Sequence, residues 1–453
     1  MLRYCKIIYN YSCLFINLFT IYNRSIDIKN NEKWIDKLVT NITSTGPVSI
    51  KFIQWLLPIT KIIYPDLLIT EKFNIFFEKC NIHNIEYTEK IYKKNYKSEL
   101  LEDYNIIDLI GSGSIGQVYL IEDKINNDRF AMKVTHPDII FQINVFLIIY
   151  KLITKLINLS LILPNVDIDK FVYSLKDQTN LEIEANNCDL FSKLYSDIDC
   201  IIIPKIKSKF KDIFIMEYLP GIKLHNEKVN NITRCKVLTT LAIFIENSCI
   251  NEISHGDLHE GNWSIIDLNT DMPKIIIYDF GFCFRVENDE YYNAVSLLTR
   301  NNKLEDIKSF LNYYLKKPYN SKLDKEYILK NYKKDPLFDN DIIKSKCVSL
   351  LALIPALIKF LLKNNIKITD TCLNSLVLFL QLCGYFAGTK LTGGDGVETG
   401  VYDYHEYTIN IISLLNKYNI CKKLKNEKVK ETLNHESKFN NNFDKFKNLK
   451  KFL

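Results

Sequence analysis

Apolar positions between residues 34 and 100 recur at helical spacing. In 34–42 they fall at Trp34, Ile35, Leu38 and Val39, a single helical stripe. Gly46-Pro47 ends that helix, and the run VSIKFIQWLLPI begins another. The pattern changes at Tyr104. YNIIDLIGSGSIGQVYLIED reads as strand, glycine turn, strand, and RFAMKVTHP as a further strand after an Asn126-Asn127-Asp128 hairpin turn. The apolar stretch 138–163, with Lys151 and Lys155 four apart, predicts a helix stopped by Pro164. Residues 171–195 predict one more helix. DIFIMEYLPGIKL predicts a strand and then a turn at Pro220-Gly221. From Thr233 onward the pattern is mostly helical, apart from two short segments near 255–262 and 278–282. Residues 413–453 are rich in Lys and Asn and predict a solvated tail. No internal repeat interrupts this order.

The chain has 453 residues, 47% hydrophobic and 25% charged, enough for a large core divided among two or three subdomains. Its net charge of +6 is mild and partly confined to the tail, so it argues only weakly for an anionic partner, and no nucleic-acid partner is expected. Twelve cysteines are scattered with no Cys-x-x-Cys, which favours buried thiols in a reduced compartment over a disulfide or zinc framework. Residues 1–33 begin with Arg3, Lys6 and Arg24 and no acid before Asp27. They read as an ordinary N-terminal helix, with a targeting segment as the alternative; no small-residue cleavage site follows. The charge-poor stretches 348–362 and 372–389 are short for membrane spans and read as core helices.

The chemistry-bearing residues occur in a fixed order. GSGSIGQV at 111–118 has the Gly-x-Gly-x-x-Gly-x-Val spacing between two strands, where Gly111, Gly113, Ser114, Gly116 and Val118 would line a phosphate-binding turn. Glycines there let backbone N–H groups approach an anion with no Cβ in the way. Alone the turn is weak evidence, because glycine turns between strands are common. AMK follows at 131–133, and Lys133 on the next strand suits the α/β-phosphates of ATP. A strand lysine is usually only solvated; its place after the glycine turn makes the assignment. Glu184, in the helix expected over 171–195, is the candidate partner of Lys133. Glu217, in IMEY, lies on a strand whose backbone would meet adenine. HGDLHEGN at 255–262 supplies Asp257, to accept or orient the proton of an attacking hydroxyl, and Asn262, to bind Mg2+. YDFGF at 278–282 supplies Asp279, to bridge Mg2+ and the phosphates. His255 is expected to pack and hydrogen-bond within the loop, and His259 is not expected to act as a base. Gly256 stands where a protein kinase normally has Arg.

The lines around these motifs resemble the UbiB-like, or aarF-domain, atypical kinases. SIGQV at 114–118, VTHP at 134–137, EANN at 184–187, MEYLPGIKL at 216–224 and HGDLHEGN carry the resemblance. GPVSIKFIQW at 46–55 is similar to that family's Lys-x-Gly-Gln segment, and YPDLL at 64–68 to the stretch just after that segment. The likeness covers roughly residues 34–400. It implies an α+β, bilobal protein-kinase-like fold with a small antiparallel N-lobe, a mostly helical C-lobe and an N-terminal helical extension. The expected divisions are an N-terminal segment 1–33, the extension 34–100, an N-lobe 101–224 with inserted helices, a C-lobe 225–412 and the tail. It implies ATP and Mg2+ as cofactors. It also suggests a lipid or quinone-pathway small molecule as partner and association with a membrane surface, mitochondrial or cytoplasmic in face. The family's gate would be formed by Lys51 and Gln54 with the positions of Gln178 and Asn180.

Four departures stand out. Ile53 replaces the family's glycine; Gln178 and Asn180 replace its Glu-x-Asp; Gly111-Ser112-Gly113 replaces an alanine-rich loop; and Glu260 replaces a proline. The retained Lys133, Glu184, Asp257, Asn262 and Asp279 favour an active ATP-dependent kinase or ATPase over a nucleotide-sensing pseudokinase. The 46–55 segment argues against a small-molecule kinase of the choline or aminoglycoside type. No Ala-Pro-Glu follows Gly281, and a helix is expected to begin soon after it, which disfavours a conventional protein substrate.

Overall fold

The computed structural model describes residues 2–24, 32–63, 68–77, 82–156, 168–268, 270 and 273–286, together with residues 374, 378, 391–392 and 398–399. Two compact units are present. The first holds the described residues through Asp189 and Lys205–Tyr218; the second holds Leu190–Pro204 and the described residues from Leu219 to Val286.

In the first unit, helices α1 (Leu2–Arg24), α2 (Glu32–Thr45) and α3 (Pro47–Ile63) open the chain. Gly46 takes φ 94 and Pro47 is the first residue of α3, where the missing N–H would have had no helical partner. Leu14, Leu38, Ile42, Ile50, Ile53 and Leu57 form a core with Phe73 and Phe76, which sit on a 3-10 turn (Phe73–Phe77) after the short α4 (Leu68–Lys72). Ile53 thus fills this core, a physical use for the residue that departs from the family's glycine. Helices α5 (Ile85–Tyr96) and α6 (Leu100–Asp103) lead into the sheet.

Strands β1 (Tyr104–Ser112), β2 (Gly116–Asp123) and β3 (Arg129–Thr135) are followed by α7 (Ile139–Leu156), α8 (Ile168–Gln178) and α9 (Leu181–Leu194). After β4 (Ile201–Ile202) come β5 (Ile206–Lys209) and β6 (Ile213–Glu217). The first unit's sheet is antiparallel in the order β1-β2-β3-β6-β5. The β2–β3 turn falls where the Asn-rich stretch predicts it, with Asn127 at φ 60. The strands β4 and β5 carry too few residues for a sequence pattern to reveal them. The expected 138–163 helix is described as α7; residues 157–163 lie outside the described residues.

The single helix expected over 171–195 is in fact two. Thr179 Oγ1 donates to the Lys176 carbonyl (2.7 Å), and Asn180 Oδ1 accepts the Glu182 N–H (3.2 Å). The Leu181 N–H donates to the Lys211 carbonyl, outside the helix (2.9 Å). Short polar side chains have captured the backbone groups that a continuous helix would need, and Asn180 becomes an N-cap.

In the second unit, α10 (Asn231–Ile250) is capped by Asn230, whose Oδ1 accepts the Thr233 N–H (2.8 Å). Strand β7 (Ile253–His255) pairs with β10 (Cys283–Arg285), while β8 (Trp263–Ile266) and β9 (Lys274–Ile277) form a sheet of order β4-β9-β8. The stretch just after Gly281 is β10, which completes a ladder with β7; the helix expected soon after Gly281 falls beyond residue 286, outside the described residues. Two-residue strands β11 (Leu391–Thr392) and β12 (Glu398–Thr399) pair inside a region read as helical. The remaining expectations beyond residue 286, tail included, lie outside the described residues except for helical positions 374 and 378. Among the described residues no helix is long and apolar enough to cross a membrane.

Candidate active site

The glycine turn joins β1 to β2. The Gly113 N–H donates to the Gly116 carbonyl (2.9 Å) and closes it. A Cβ on Gly111 would meet nothing within 4 Å, and one on Gly113 would meet only Gly116 O at 3.7 Å. A Cβ on Gly116 would lie 2.3 Å from the Val134 carbonyl oxygen. Gly116 is therefore required by the β2–β3 approach, whereas the first two glycines leave the turn bare. Val118 packs against Ala131, Leu181, Ala185, Phe214 and Met216. Ser114 is buried.

The turn is also tied down from behind. Ile115 enters the core of α1, α3 and α7, beside Ile7, Tyr11, Val48 and Ile143. Its carbonyl accepts the His136 N–H (2.8 Å), and His136 Nε2 lies 2.9 Å from the Gly113 carbonyl. A carbonyl only accepts, so Nε2 carries the proton and His136 Nδ1 accepts from His83 Nδ1 (2.9 Å). His83 Nε2 then accepts from Thr88 Oγ1 (3.0 Å). Burial holds His136 below the ordinary histidine range. Sequence reasoning missed this chain; its one outward sign is a histidine directly after the lysine strand.

Lys133 lies on β3 opposite Val118 and Phe214. Its Nζ donates to Glu184 Oε1 at 2.6 Å, and both residues are buried, 8% and 2% exposed. Glu184 is in the first turn of α9, so the Asn180 cap sets its height. Glu217 ends β6, and its N–H donates to the carbonyl of Lys205, the residue just before β5 (2.9 Å). Lys51 is half-buried on α3. Gln54 Nε2 donates to the Phe76 carbonyl (2.7 Å), tying α3 to the 3-10 turn. Buried Gln178 is the last residue of α8, and its Nε2 is 3.4 Å from Ser174 Oγ.

In the second unit the two loops are joined through His255, which is 1% exposed. Its Nδ1 accepts the Asp257 N–H (3.1 Å), and its Nε2–H donates to the Asp279 carbonyl. Only the neutral ring can do both, and burial lowers its pKa accordingly. The ring packs between Phe244 and Phe280. His259 Nδ1 accepts the Gly261 N–H (3.0 Å), a local loop role. A Cβ on Gly256 would fall 2.5 Å from the Phe282 ring, so a side chain where protein kinases place Arg would require that ring to move.

Asn262, 9% exposed, donates from Nδ2 to the Asp257 carbonyl (2.8 Å), which turns its amide oxygen the other way. Asp279 Oδ1 accepts the Gly281 N–H (2.9 Å). Among the described residues no group of three or more His, Cys, Asp or Glu could hold a metal alone. One carboxylate and one amide, both hard oxygen donors, are what Mg2+ takes when phosphates and water complete its shell, so the donor set fits that ion.

Residues 76–311, just over half of the chain, match the ABC1 atypical kinase-like domain. A mitochondrial ABC1 family protein of Saccharomyces cerevisiae is 26% identical over 51% of this chain and 39% of its own length. A probable protein kinase UbiB of Photobacterium profundum is 26% identical over 42% of this chain and 37% of its own. The chain thus spans about two fifths of the length of these relatives. The complex of Rv3197 with erythromycin from Mycobacterium tuberculosis aligns with a TM-score of 0.43 at 13% identity, covering 76% of this chain and 90% of that one.

Proposed function

The chain belongs to the ABC1 atypical kinase-like family, and from that premise we propose that it is an ATP- and Mg2+-dependent kinase or ATPase. The observation that carries this reading is the buried Lys133–Glu184 pair at 2.6 Å, whose partners are 51 residues apart in sequence. A buried ion pair is rarely the most stable filling for its space, so its presence calls for a task. On the strand behind a glycine turn that task is to hold the α/β-phosphates, with Glu184 aiming the lysine.

The backbone of Gly111, Gly113, Ser114 and Gly116 would hold the phosphates, Val118 would line the adenine position, and the backbone at Glu217 would meet the base. Asn262 and Asp279 hold Mg2+, which when bound offsets the charge that gathers on phosphate oxygens. Asp257 orients the acceptor hydroxyl and takes its proton. Lys51, Gln54, Gln178 and Asn180 form the counterpart of the family's gate, with neutral amides in place of its acids. We further propose a lipid or quinone-pathway small molecule as acceptor, met at a membrane surface. The mitochondrial naming of relatives from two yeasts supports that compartment.

The test is ADP release by purified protein with Mg-ATP, with and without lipid vesicles or quinone-precursor mimics. Release lost in Asp257→Asn supports catalysis. Tight Mg-ATP binding with no release under any condition would make the chain a nucleotide-binding regulator instead.

A further inference from the structure

Lys223 follows the turn at Gly221 and is fixed at its backbone. Ile222 exchanges both N–H···O bonds with Ile265, each 2.9 Å. Gly221 lies so close to β8 that a Cβ would fall 2.1 Å from Ser264 Oγ. From this anchored position the Lys223 ammonium reaches three backbone carbonyls, those of Glu260 (2.9 Å), Gly261 (3.2 Å) and Trp263 (2.8 Å). An ammonium has three N–H donors and no acceptor, so the match is complete. The remaining carbonyl of the stretch, that of Asn262, accepts the Tyr278 N–H (3.0 Å). Lys223 Nζ also lies 5.9 Å from the centre of the Tyr278 ring.

The same segment makes a second tie. His225 N–H donates to Glu260 Oε1 (3.2 Å), and His225 Nε2 is 2.8 Å from Glu260 Oε2. Glu260 is one of the four departures from the family's pattern, and a proline there would have no side-chain acceptor for that N–H.

We propose that Lys223 is a positioning residue for the metal-binding loop: by holding the carbonyls on both sides of Asn262 it fixes the turn Glu260–Asn262 and so the direction of the Asn262 amide oxygen. With its three donors on these carbonyls, Lys223 acts through the loop. The proposal rests on the reading of Asn262 as an Mg2+ ligand. Partners that orient a metal ligand carry about 10–100-fold in metal affinity.

The test compares wild type with Lys223→Met, which keeps the length and apolar stem but removes all three donors, and with Lys223→Arg. A planar guanidinium cannot cap three converging carbonyls as an ammonium does, so Arg restores little despite its charge. The first readout is amide hydrogen exchange of residues 257–266 with no nucleotide present. Lys223→Met is expected to exchange at least about tenfold faster there, with the rest of the chain unchanged. The second is the Mg2+ concentration that half-saturates ATP binding. It should rise by about 10–100-fold while ATP affinity in EDTA stays constant. A generally loosened protein would lose both kinds of binding together.

Unchanged exchange and unchanged Mg2+ half-saturation in folded Lys223→Met overturn the proposal; should that variant not fold, Lys223→Leu, which also has no donor, is read in the same way. A wild-type protein whose ATP binding ignores Mg2+ overturns the functional reading and the metal part of this proposal with it. The exchange measurement then decides by itself whether Lys223 sets the loop.

Discussion

A charge placed in a protein interior needs its partner more than it needs the fold. Lys133→Met leaves the Glu184 carboxylate buried without its ammonium, and the expected cost is about 3–5 kcal/mol. Lys133→Met with Glu184→Leu removes both charges and should recover most of that loss, while the nucleotide turnover proposed above would stay abolished. Urea denaturation of the two single variants and the double variant gives the coupling; additive losses would mean that the pair is not one unit.

His255 is the opposite case, an ionisable group that must stay neutral. Its ring accepts from the Asp257 N–H and donates to the Asp279 carbonyl, and burial holds its folded pKa below the ordinary value of about 6.5. Below that ordinary value the unfolded chain takes up a proton that the folded chain refuses. Stability is therefore full above pH 6.5 and falls as the pH drops toward the folded pKa, with a slope of at most about 1.4 kcal/mol per pH unit for each such group. His136 adds a second contribution of the same sign. The denaturation midpoint should decline between pH 7 and 5, and His255→Gln should flatten that decline. An equal decline in the variant would assign the effect elsewhere.

At the level of elements, the glycine turn separates two demands that one motif conceals. Gly116→Ala drives a methyl into the Val134 carbonyl and should destabilise the β2–β3 pairing, whereas Gly113→Ala meets only ordinary contact. The first should lower the melting temperature; the second should leave it near wild type, so that any change in Mg-ATP affinity reports the turn alone. Asn180 offers a similar comparison. Asn180→Asp keeps a side-chain acceptor for the Glu182 N–H, while Asn180→Ala loses the cap at about 1 kcal/mol.

The strands β1 to β3 and β6, and the non-helical loop 255–262, were legible because glycine spacing and β-branched runs are local signals. The break between α8 and α9 was missed because apolar spacing runs through it; Thr179-Asn180 followed by Glu182 was the readable sign of a new helix start. The strands β4 and β5 could not be read, since two and four residues carry no period. The ties made by His136, Lys223 and Gln54 join a side chain to a backbone group distant in sequence, and no spacing announces such a contact.

At the scale of the whole molecule, Lys133 and Glu184, proposed to serve the phosphates, belong to the first unit, and Asn262 and Asp279, proposed to hold the metal, to the second. A ligand that binds only the folded state stabilises it by mass action, about 2.7 kcal/mol at a hundred times its dissociation constant. Under the proposed reading, ATP without metal draws mainly on Lys133 and the glycine turn, and Mg2+ adds the increment due to Asn262 and Asp279. Asp279→Asn removes a negative charge from the metal position with little change in shape. It should melt like wild type without ligand, keep the small shift given by ATP in EDTA, and lose the further shift given by Mg2+. If the variant gained the full Mg-ATP shift, Asp279 would not be the metal ligand. If it lost the EDTA shift as well, the Asp279 charge would serve ATP binding by some route other than the metal, and the metal assignment would fall.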